Sequence, residues 1–195
     1  MTKPQDYSPE RLADRAQIQD MMYRWCRAID RLDLDAVRDV FHPGAIDSHG
    51  IYNGEVEGLI NWLRDRHQTI TFSMHSISNM LIEFAGPDTA IVESYCTATQ
   101  RYPAEAKAAL AQLSGGVEGK PGVGIDVIAI CRYVDRFERR KGEWKVAART
   151  VVFDSTMMYE YSPDGPKMGP GWTVGKRRNR DDFVYKARAE VGLRD

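Results

Sequence analysis

The chain has 195 residues, of which 43% are hydrophobic, 28% charged and 10% aromatic, a composition typical of one well-packed globular domain. Its formal net charge of -1 and isoelectric point of about 6.4 give no reason to expect binding to nucleic acid or to an anionic membrane. The sequence has neither an apolar signal region at its N-terminus nor an apolar run that could span a bilayer, and this predicts a cytoplasmic protein.

Residues 8–30 predict one long amphipathic helix. Ser8 can cap its start, and Pro9 suits the first helical position. Asp30 lies on or beside the apolar stripe. Because a buried charge without a partner is costly, Asp30 implies a partner, a water-filled cavity or a different helix phase. The apolar stripe, at helical spacing, consists of Leu12, Ile18, Met22, Trp25 and Ile29.

The next segments predict two shorter helices with a turn and a short strand between them. Residues 32–41 predict the first of these helices, which Asp33 or Asp35 could cap. Residues 42–50 predict the turn and strand, and residues 55–66 predict the second helix by the spacing of their apolar side chains.

Three histidines and three cysteines fall outside any motif. His42, His49 and His67 stand in turn or exposed-helix contexts, which predicts surface or loop positions. The cysteines lie in apolar stretches without CxxC spacing, so we expect small, buried, reduced residues and no metal site. They are Cys26, Cys96 and Cys131.

From residue 69 the pattern changes to β-strands. Residues 69–84 and 89–102 predict an antiparallel hairpin, and residues 125–140 and 144–161 predict two further long strands. Between the two pairs, residues 104–113 predict a short helix or lid-like segment. The Gly-rich residues 114–124 are the best candidate for a mobile loop.

The C-terminal segment differs in composition from the rest of the chain. We expect residues 1–161 to form the domain and residues 162–195 to be an extension that packs on it or on a neighbouring subunit. The extension is rich in Pro and Gly at its start, and residues 181–191 predict a final helix. Its aromatic residues argue against simple disorder.

Helices followed by long antiparallel strands predict an α+β fold. A curved sheet wrapped around the N-terminal helices would form a cone with an internal cavity, which suits an apolar ligand held by a few polar groups.

Four segments carry a family resemblance across residues 12–152. They are LADRAQIQDMM, AIDRLDLDAVRDVFHPGA, MHSISNMLIEF and RYVDRFERRKGEWKV. The chain resembles the SnoaL-like branch of the nuclear transport factor 2 superfamily, with lindane dehydrochlorinase and scytalone dehydratase as the nearest members by motif. In those enzymes an Asp at the end of the first helix pairs with a His on this strand, and Asp30 and His75 match the two positions.

The resemblance has departures that concern the substrate. The second catalytic His of the dehydratase, on a later strand, has no counterpart here, and Trp25 replaces a basic residue of the dehydrochlorinase helix. The chain also resembles the related cofactor-free lyases that remove formaldehyde from lignin-derived aromatic dimers.

This resemblance implies a cofactor-independent lyase with Asp30 and His75 as catalytic residues. A neutral imidazole is a competent base near pH 7, and a carboxylate on one ring nitrogen fixes its tautomer. The expected reaction is dehydration, dehydrohalogenation or deformylation of a hydrophobic aromatic small molecule, with no cofactor or metal. The expected assembly is a homo-oligomer, either a dimer or a trimer. The candidate substrate-binding residues are Trp25, Tyr52, Phe72, Asn79, Tyr95 and Arg149.

Each of these residues also has a structural explanation. Asp30 could cap a helix, and His75 could be a core polar group that has hydrogen-bond partners. Arg149 could be an exterior charge. The alternative functions are a ketosteroid-isomerase-like isomerase or polyketide cyclase that uses one carboxylate as its base, and a non-catalytic small-molecule-binding module, for which Asp30 and His75 would not touch.

Overall fold

A computed structural model describes residues 7–116, 119–162, 167–175 and 178–193. Parts of the predicted Gly-rich loop and of the C-terminal extension lie outside these ranges. The helices are α1 (Pro9–Arg31), α2 (Leu34–Asp39), α3 (Val56–His67), α4 (Lys107–Ser114) and α5 (Phe183–Glu190), with a short 3₁₀ helix, Ala104–Ala106, before α4. The strands are β1 (Phe41–His49), β2 (Tyr52–Glu55), β3 (Phe72–Phe84), β4 (Thr89–Tyr102), β5 (Gly124–Arg140) and β6 (Glu143–Tyr161).

The six strands form one curved sheet in the order β2-β1-β6-β5-β4-β3. The predicted hairpin β3–β4 and the long pair β5–β6 are antiparallel. The pairing of β1 with β6 is parallel, which the sequence pattern did not predict. The predicted α+β fold with helices against a curved sheet is confirmed.

The long helix α1 packs its apolar stripe against β3 and β6. Ile18, Met22, Trp25 and Ile29 are buried as predicted, but Leu12 is 51% exposed. At about 100° per residue it lies roughly 120° round the helix from that stripe, on which Asp14 is already buried. Ser8 accepts a hydrogen bond from the backbone N–H of Arg11, as expected for the cap. The core therefore holds the last turn of α1, with Asp30, against the sheet.

Residues 178–185 of the C-terminal segment lie against the junction of α1 and α2. Asp33, the cap of α2, accepts hydrogen bonds from Arg180 Nη2 and from the Tyr185 hydroxyl, both at 3.0 Å. Arg31 pairs with Asp182 at 2.9 Å. The extension thus contacts the same end of α1 that carries Asp30.

The three cysteines are buried and free, as predicted. Within the described ranges, no helix has the length and apolar content needed to cross a membrane.

Candidate active site

A cavity of about 350 Å³ lies between α3 and the inner face of the sheet. One row of side chains across neighbouring strands forms part of its wall: His75 pairs with Ala98, Ala98 with Ala129, and Ala129 with Thr156. Because the members of this row after His75 are small, they leave room in front of the imidazole.

Apolar and aromatic side chains dominate the rest of the wall, with a few polar groups among them, as is typical of small-molecule sites. These further wall residues include Ile29, His49, Trp62, Leu63, Arg66, His67, Gln100, Cys131, Tyr133, Val151 and Phe153.

Asp30 and His75 meet at two points. Oδ1 of Asp30 lies 2.7 Å from Nδ1 of the His75 ring, and Oδ2 accepts the backbone N–H of His75 at 2.9 Å. The Asp30 carboxylate also accepts the Ser73 hydroxyl at 3.1 Å. Three hydrogen bonds from the protein thus stabilise the buried carboxylate. The contact with Nδ1 fixes the orientation of the His75 ring.

The local fold explains this contact. Asp30 is in the last turn of α1, which packs on β3. Ser73 and His75 are two residues apart on β3, so both point to the same face of the strand. The helix end and the strand therefore present complementary groups, and the predicted contact between the acid and the ring exists. Asp30 itself does not line the cavity, whereas His75 does.

An arginine from the C-terminal segment supports the same helix end. Arg178 donates from Nε to the backbone carbonyl of Asp30 at 3.0 Å and from Nη2 to that of Ile29. These carbonyls belong to the last turn of α1, which lacks the following turn of amide donors, although the Ile29 carbonyl also accepts the backbone N–H of Leu32 at 3.3 Å. Burial lowers the pKa of Arg178 to about 10. The prediction from sequence did not identify this residue, since it is remote from α1 in the chain.

The histidines His42, His49 and His67 were predicted to be surface or loop residues, and this was wrong. His67 is 4% exposed and lines the cavity, and so does His49. His42 is buried outside the cavity and donates from Nε2 to the backbone carbonyl of Glu138 at 2.8 Å. The signal that was missed is position: His49 ends β1 and His67 ends α3, and both elements border the cavity.

His67 stands between two guanidinium groups. Nη1 of Arg66 lies 2.9 Å from its Nε2, and Nη2 of Arg178 lies 3.1 Å from its Nδ1. Burial, together with these two cations, lowers the pKa of His67 well below its usual range. His67 is therefore neutral near pH 7. A neutral imidazole accepts through one ring nitrogen only, so one contact is a hydrogen bond and the other a close approach.

Three predicted substrate-binding residues lie outside the cavity on the outer face of the sheet. Phe72 is 41% and Tyr95 46% exposed. Asn79 is also exposed, because the register of β3 against β4 shifts between Ile77 and Met80 and breaks the alternation that would have placed Asn79 beside His75. The structure does not bring these side chains to the cavity.

The other three predicted substrate-binding residues lie behind the cavity wall. Trp25 is fully buried in the core, and Tyr52 stacks on Trp62, with ring centroids 5.9 Å apart. Arg149 is neither an exterior charge nor a cavity anchor. It makes a buried two-point ion pair with Asp135 at 2.7 and 2.8 Å. None of the three lines the cavity.

No three His, Cys, Asp or Glu side chains among the described residues are grouped so that they could hold a metal ion.

Comparison with solved structures identifies the fold. A type 2 hexachlorocyclohexane dehydrochlorinase (LinA) aligns with a TM-score of 0.63 and 18% identity over 84% of this chain and 98% of that chain. A provisionally named scytalone dehydratase from Novosphingobium aromaticivorans DSM 12444 gives a TM-score of 0.61 and 20% identity over 81% and 97%. The protein Kfla4162 from Kribbella flavida gives 0.61 and 16% over 75% and 95%. At these identities the similarity shows the fold alone.

No curated protein matches the chain in sequence. The sequence profile of the SnoaL-like domain does match, over residues 10–150, which is most of the chain and includes both Asp30 and His75. The chain is therefore a member of the SnoaL-like family, of the nuclear transport factor 2 superfamily, as its motifs predicted.

Proposed function

We propose that this protein is a cofactor-independent lyase in which His75 is the general base and Asp30 orients it. The observation that carries the proposal is the 2.7 Å contact between Asp30 Oδ1 and His75 Nδ1, beside a cavity that His75 lines. With Nδ1 bound to the carboxylate, Nε2 is the ring nitrogen left for a molecule in the cavity. The carboxylate stabilises the imidazolium that forms when Nε2 takes a proton.

The proposed substrate is a hydrophobic aromatic small molecule with a hydroxylated side chain. A cavity of about 350 Å³ is within the size range of small-molecule sites. Trp62, Tyr133 and Phe153 provide aromatic surface, and the alanines of β4 and β5 leave space before His75. The solved relatives named as a dehydratase and a dehydrochlorinase support an elimination.

A 1,2-diarylpropane-1,3-diol illustrates the chemistry. His75 takes the proton of the terminal hydroxyl, and the bond between the terminal carbon and its neighbour breaks, which releases formaldehyde. The electrons of that bond form the new double bond as the benzylic oxygen leaves with a proton from a donor. The products are a stilbene, formaldehyde and water, and no oxidant or reductant is needed.

The alternative with a single carboxylate base, as in an isomerase or cyclase, fits the geometry less well. Both Asp30 oxygens are occupied by Ser73 and His75, and Asp30 does not line the cavity. A non-catalytic module required that Asp30 and His75 not touch, and they do.

The test is turnover by the purified protein of two compounds: the diarylpropanediol and a β-hydroxy aryl ketone. The readouts are formaldehyde release and ultraviolet absorbance of the dehydrated product. We expect one of these activities to survive chelator and to fall at least about 100-fold in His75→Gln, since general base catalysis contributes roughly 10²–10⁴. His42→Gln is the matched control, because His42 is buried but lies outside the cavity.

Two results would argue against this function. Activity retained in His75→Gln but lost in Asp30→Asn would favour a carboxylate base, and turnover of neither compound by the native protein would remove the proposed substrates.

We also propose a homo-oligomer. The outer face of the sheet exposes Met74, Leu81, Ile130 and Met157, and exposed apolar surface of this kind is typical of association sites. Sedimentation velocity of the native protein would report a dimer or trimer, and a monomer at all concentrations would contradict it.

A further inference from the structure

The cavity is lined by a second histidine that has its own buried acid. Asp47 and His49 are two residues apart on β1, and Asp47 Oδ1 lies 3.6 Å from His49 Nδ1, an ion-pair distance that is too long for a hydrogen bond. His49 lines the cavity, and Asp47 is fully buried. In the sheet order, β6, β5 and β4 separate β1 from β3, so His49 and His75 reach the same cavity from distant strands.

Asp47 differs from Asp30 in how its charge is balanced. Asp30 accepts three hydrogen bonds from Ser73 and His75, which can stabilise its charge next to a neutral ring. Neither oxygen of Asp47 accepts a hydrogen bond from any described residue. A buried carboxylate without donors is costly, and it requires a cation close by.

The buried cation that acts on Asp47 is Arg149, and it is already paired with Asp135. Arg149 directs Nε and Nη2 to Asp135, and its Nη1 has no hydrogen-bond partner in the described part of the chain. The single positive charge of Arg149 thus faces two buried carboxylates, Asp135 and Asp47. If both are ionised, one negative charge is left without a partner. A proton on His49, at 3.6 Å from Asp47, would neutralise it.

We propose that His49 enters the reaction as an imidazolium and is the general acid that protonates the leaving oxygen, with Asp47 as its positioning residue. This role rests on the proposed lyase function. It supplies the proton donor that an elimination needs in addition to the base His75. The candidate substrate-binding residues with a donor group, Tyr52, Asn79, Tyr95 and Arg149, cannot supply it, because none of them lines the cavity.

One ring takes up a proton in this step and the other gives one, so the protons balance. His75 takes one proton from the terminal hydroxyl, formaldehyde separates and the double bond forms. The benzylic carbon–oxygen bond breaks, and the oxygen takes a proton from His49 to leave as water. His75 ends the step as imidazolium and His49 as neutral imidazole, and exchange with solvent restores both.

The charged groups near His49 come from several elements. Asp47 lies on its own strand at 3.6 Å, and Asp135 of β5 makes a two-point pair with Arg149 of β6. Arg66, His67 and His75 line the same cavity, and Asp30 contacts His75 from outside it. Since Asp135 is paired with Arg149, Asp47 is the buried carboxylate left to face His49.

The first experiment reads this state without substrate. Nitrogen-15 NMR of histidine-labelled protein at pH 7 reports ring protonation, and among the signals of the four histidines His49→Gln identifies that of His49. We expect His49 to be charged in the native protein and neutral in Asp47→Asn. A neutral His49 in the native protein overturns the proposal.

The second experiment separates an acid from a structural residue. The benzylic acetate of the diarylpropanediol carries a leaving group that departs without a proton. We expect His49→Gln to lose at least about 100-fold in rate on the diol, as removal of an acid catalyst does, and less than about threefold on the acetate. His42→Gln, a buried histidine on the same strand, should match the native protein on both.

Equal losses of His49→Gln on the two substrates overturn the acid role. Native protein that turns over neither compound counts against the lyase function, and the NMR signal then decides the state of the Asp47–His49 pair by itself.

Discussion

Arg178 holds the end of α1 directly behind the carboxylate of Asp30. Its Nε donates to the backbone carbonyl of Asp30 at 3.0 Å, and its Nη1 reaches the carbonyl of Ile70 at 3.4 Å. A residue from the C-terminal segment thus ties together α1 and the chain before β3, which are the two sides of the Asp30–His75 contact.

We therefore predict that Arg178→Ala lowers the free energy of unfolding by about 2 kcal/mol, because buried helix carbonyls lose a charged donor. Urea unfolding measures this. The free energy of unfolding of Arg178→Lys should lie between those of the native protein and Arg178→Ala, since Lys keeps the charge but lacks the planar guanidinium with its several donors. Lys186→Ala, an exposed residue of α5, is the control, with an effect within about 0.5 kcal/mol. An Arg178→Ala protein as stable as the native one would show that the contact is dispensable.

A second prediction concerns Asp30 as a structural residue. Asp30→Ala leaves the Ser73 hydroxyl and the His75 backbone N–H without their acceptor, and each buried orphan costs about 1–3 kcal/mol. We expect a total loss of about 3 kcal/mol in urea unfolding. Asp20→Ala breaks only an exposed pair with Arg24 and should cost less than about 1 kcal/mol. Equal effects of the two substitutions would mean that Asp30 has no buried network to support.

The sequence predicted much of the fold because local patterns control it. Helical spacing located α1 and α3, and alternation located the long strands, each within a few residues of the observed bounds. The Asp30–His75 contact was predicted through resemblance and is present at 2.7 Å.

The cavity wall was much harder to predict, because it depends on which face of each strand turns inward. On β4 the alternation places Ala98 inside and Tyr95 outside, and the sequence pattern is compatible with both phases. At Asn79 the bulge in β3 reverses the expected phase. Arg178 escaped prediction because its partners on α1 are remote in the chain, and His49 because periodicity does not show which elements meet around the cavity.

A third prediction follows from the small residues opposite His75. Ala129→Leu places three additional carbons in the cavity without removing a hydrogen bond, so its free energy of unfolding should stay within about 1.5 kcal/mol of the native value. Turnover should fall about 100-fold or more, since substrate can no longer approach the ring. Steady-state kinetics and urea unfolding on one preparation measure both.

The matched control for Ala129→Leu is Ala13→Leu, which adds the same three carbons at an exposed position of α1. It should change neither quantity appreciably. If Ala129→Leu keeps full activity, the substrate does not occupy this cavity.

The last prediction uses the pH dependence of stability. Burial lowers the pKa of His67 well below its usual range, with help from Arg66 and Arg178, so the folded protein keeps this ring neutral while the unfolded chain takes up a proton below about pH 6.5. The unfolded state then binds more protons, and stability falls with decreasing pH by up to about 1.4 kcal/mol per pH unit in this window. Above pH 6.5 the contribution of His67 to the free energy of unfolding no longer changes with pH.

His67→Gln should therefore flatten the dependence of unfolding free energy on pH between pH 5 and 6.5, measured by urea unfolding at several pH values. His42→Gln should flatten it less, because burial lowers the pKa of His42 by a smaller amount. Arg178→Ala should also reduce the slope in part, since it removes one of the cations that oppose the proton on His67. A His67→Gln protein with the native slope would mean that His67 takes up its proton in the folded state, against the buried position between two arginines.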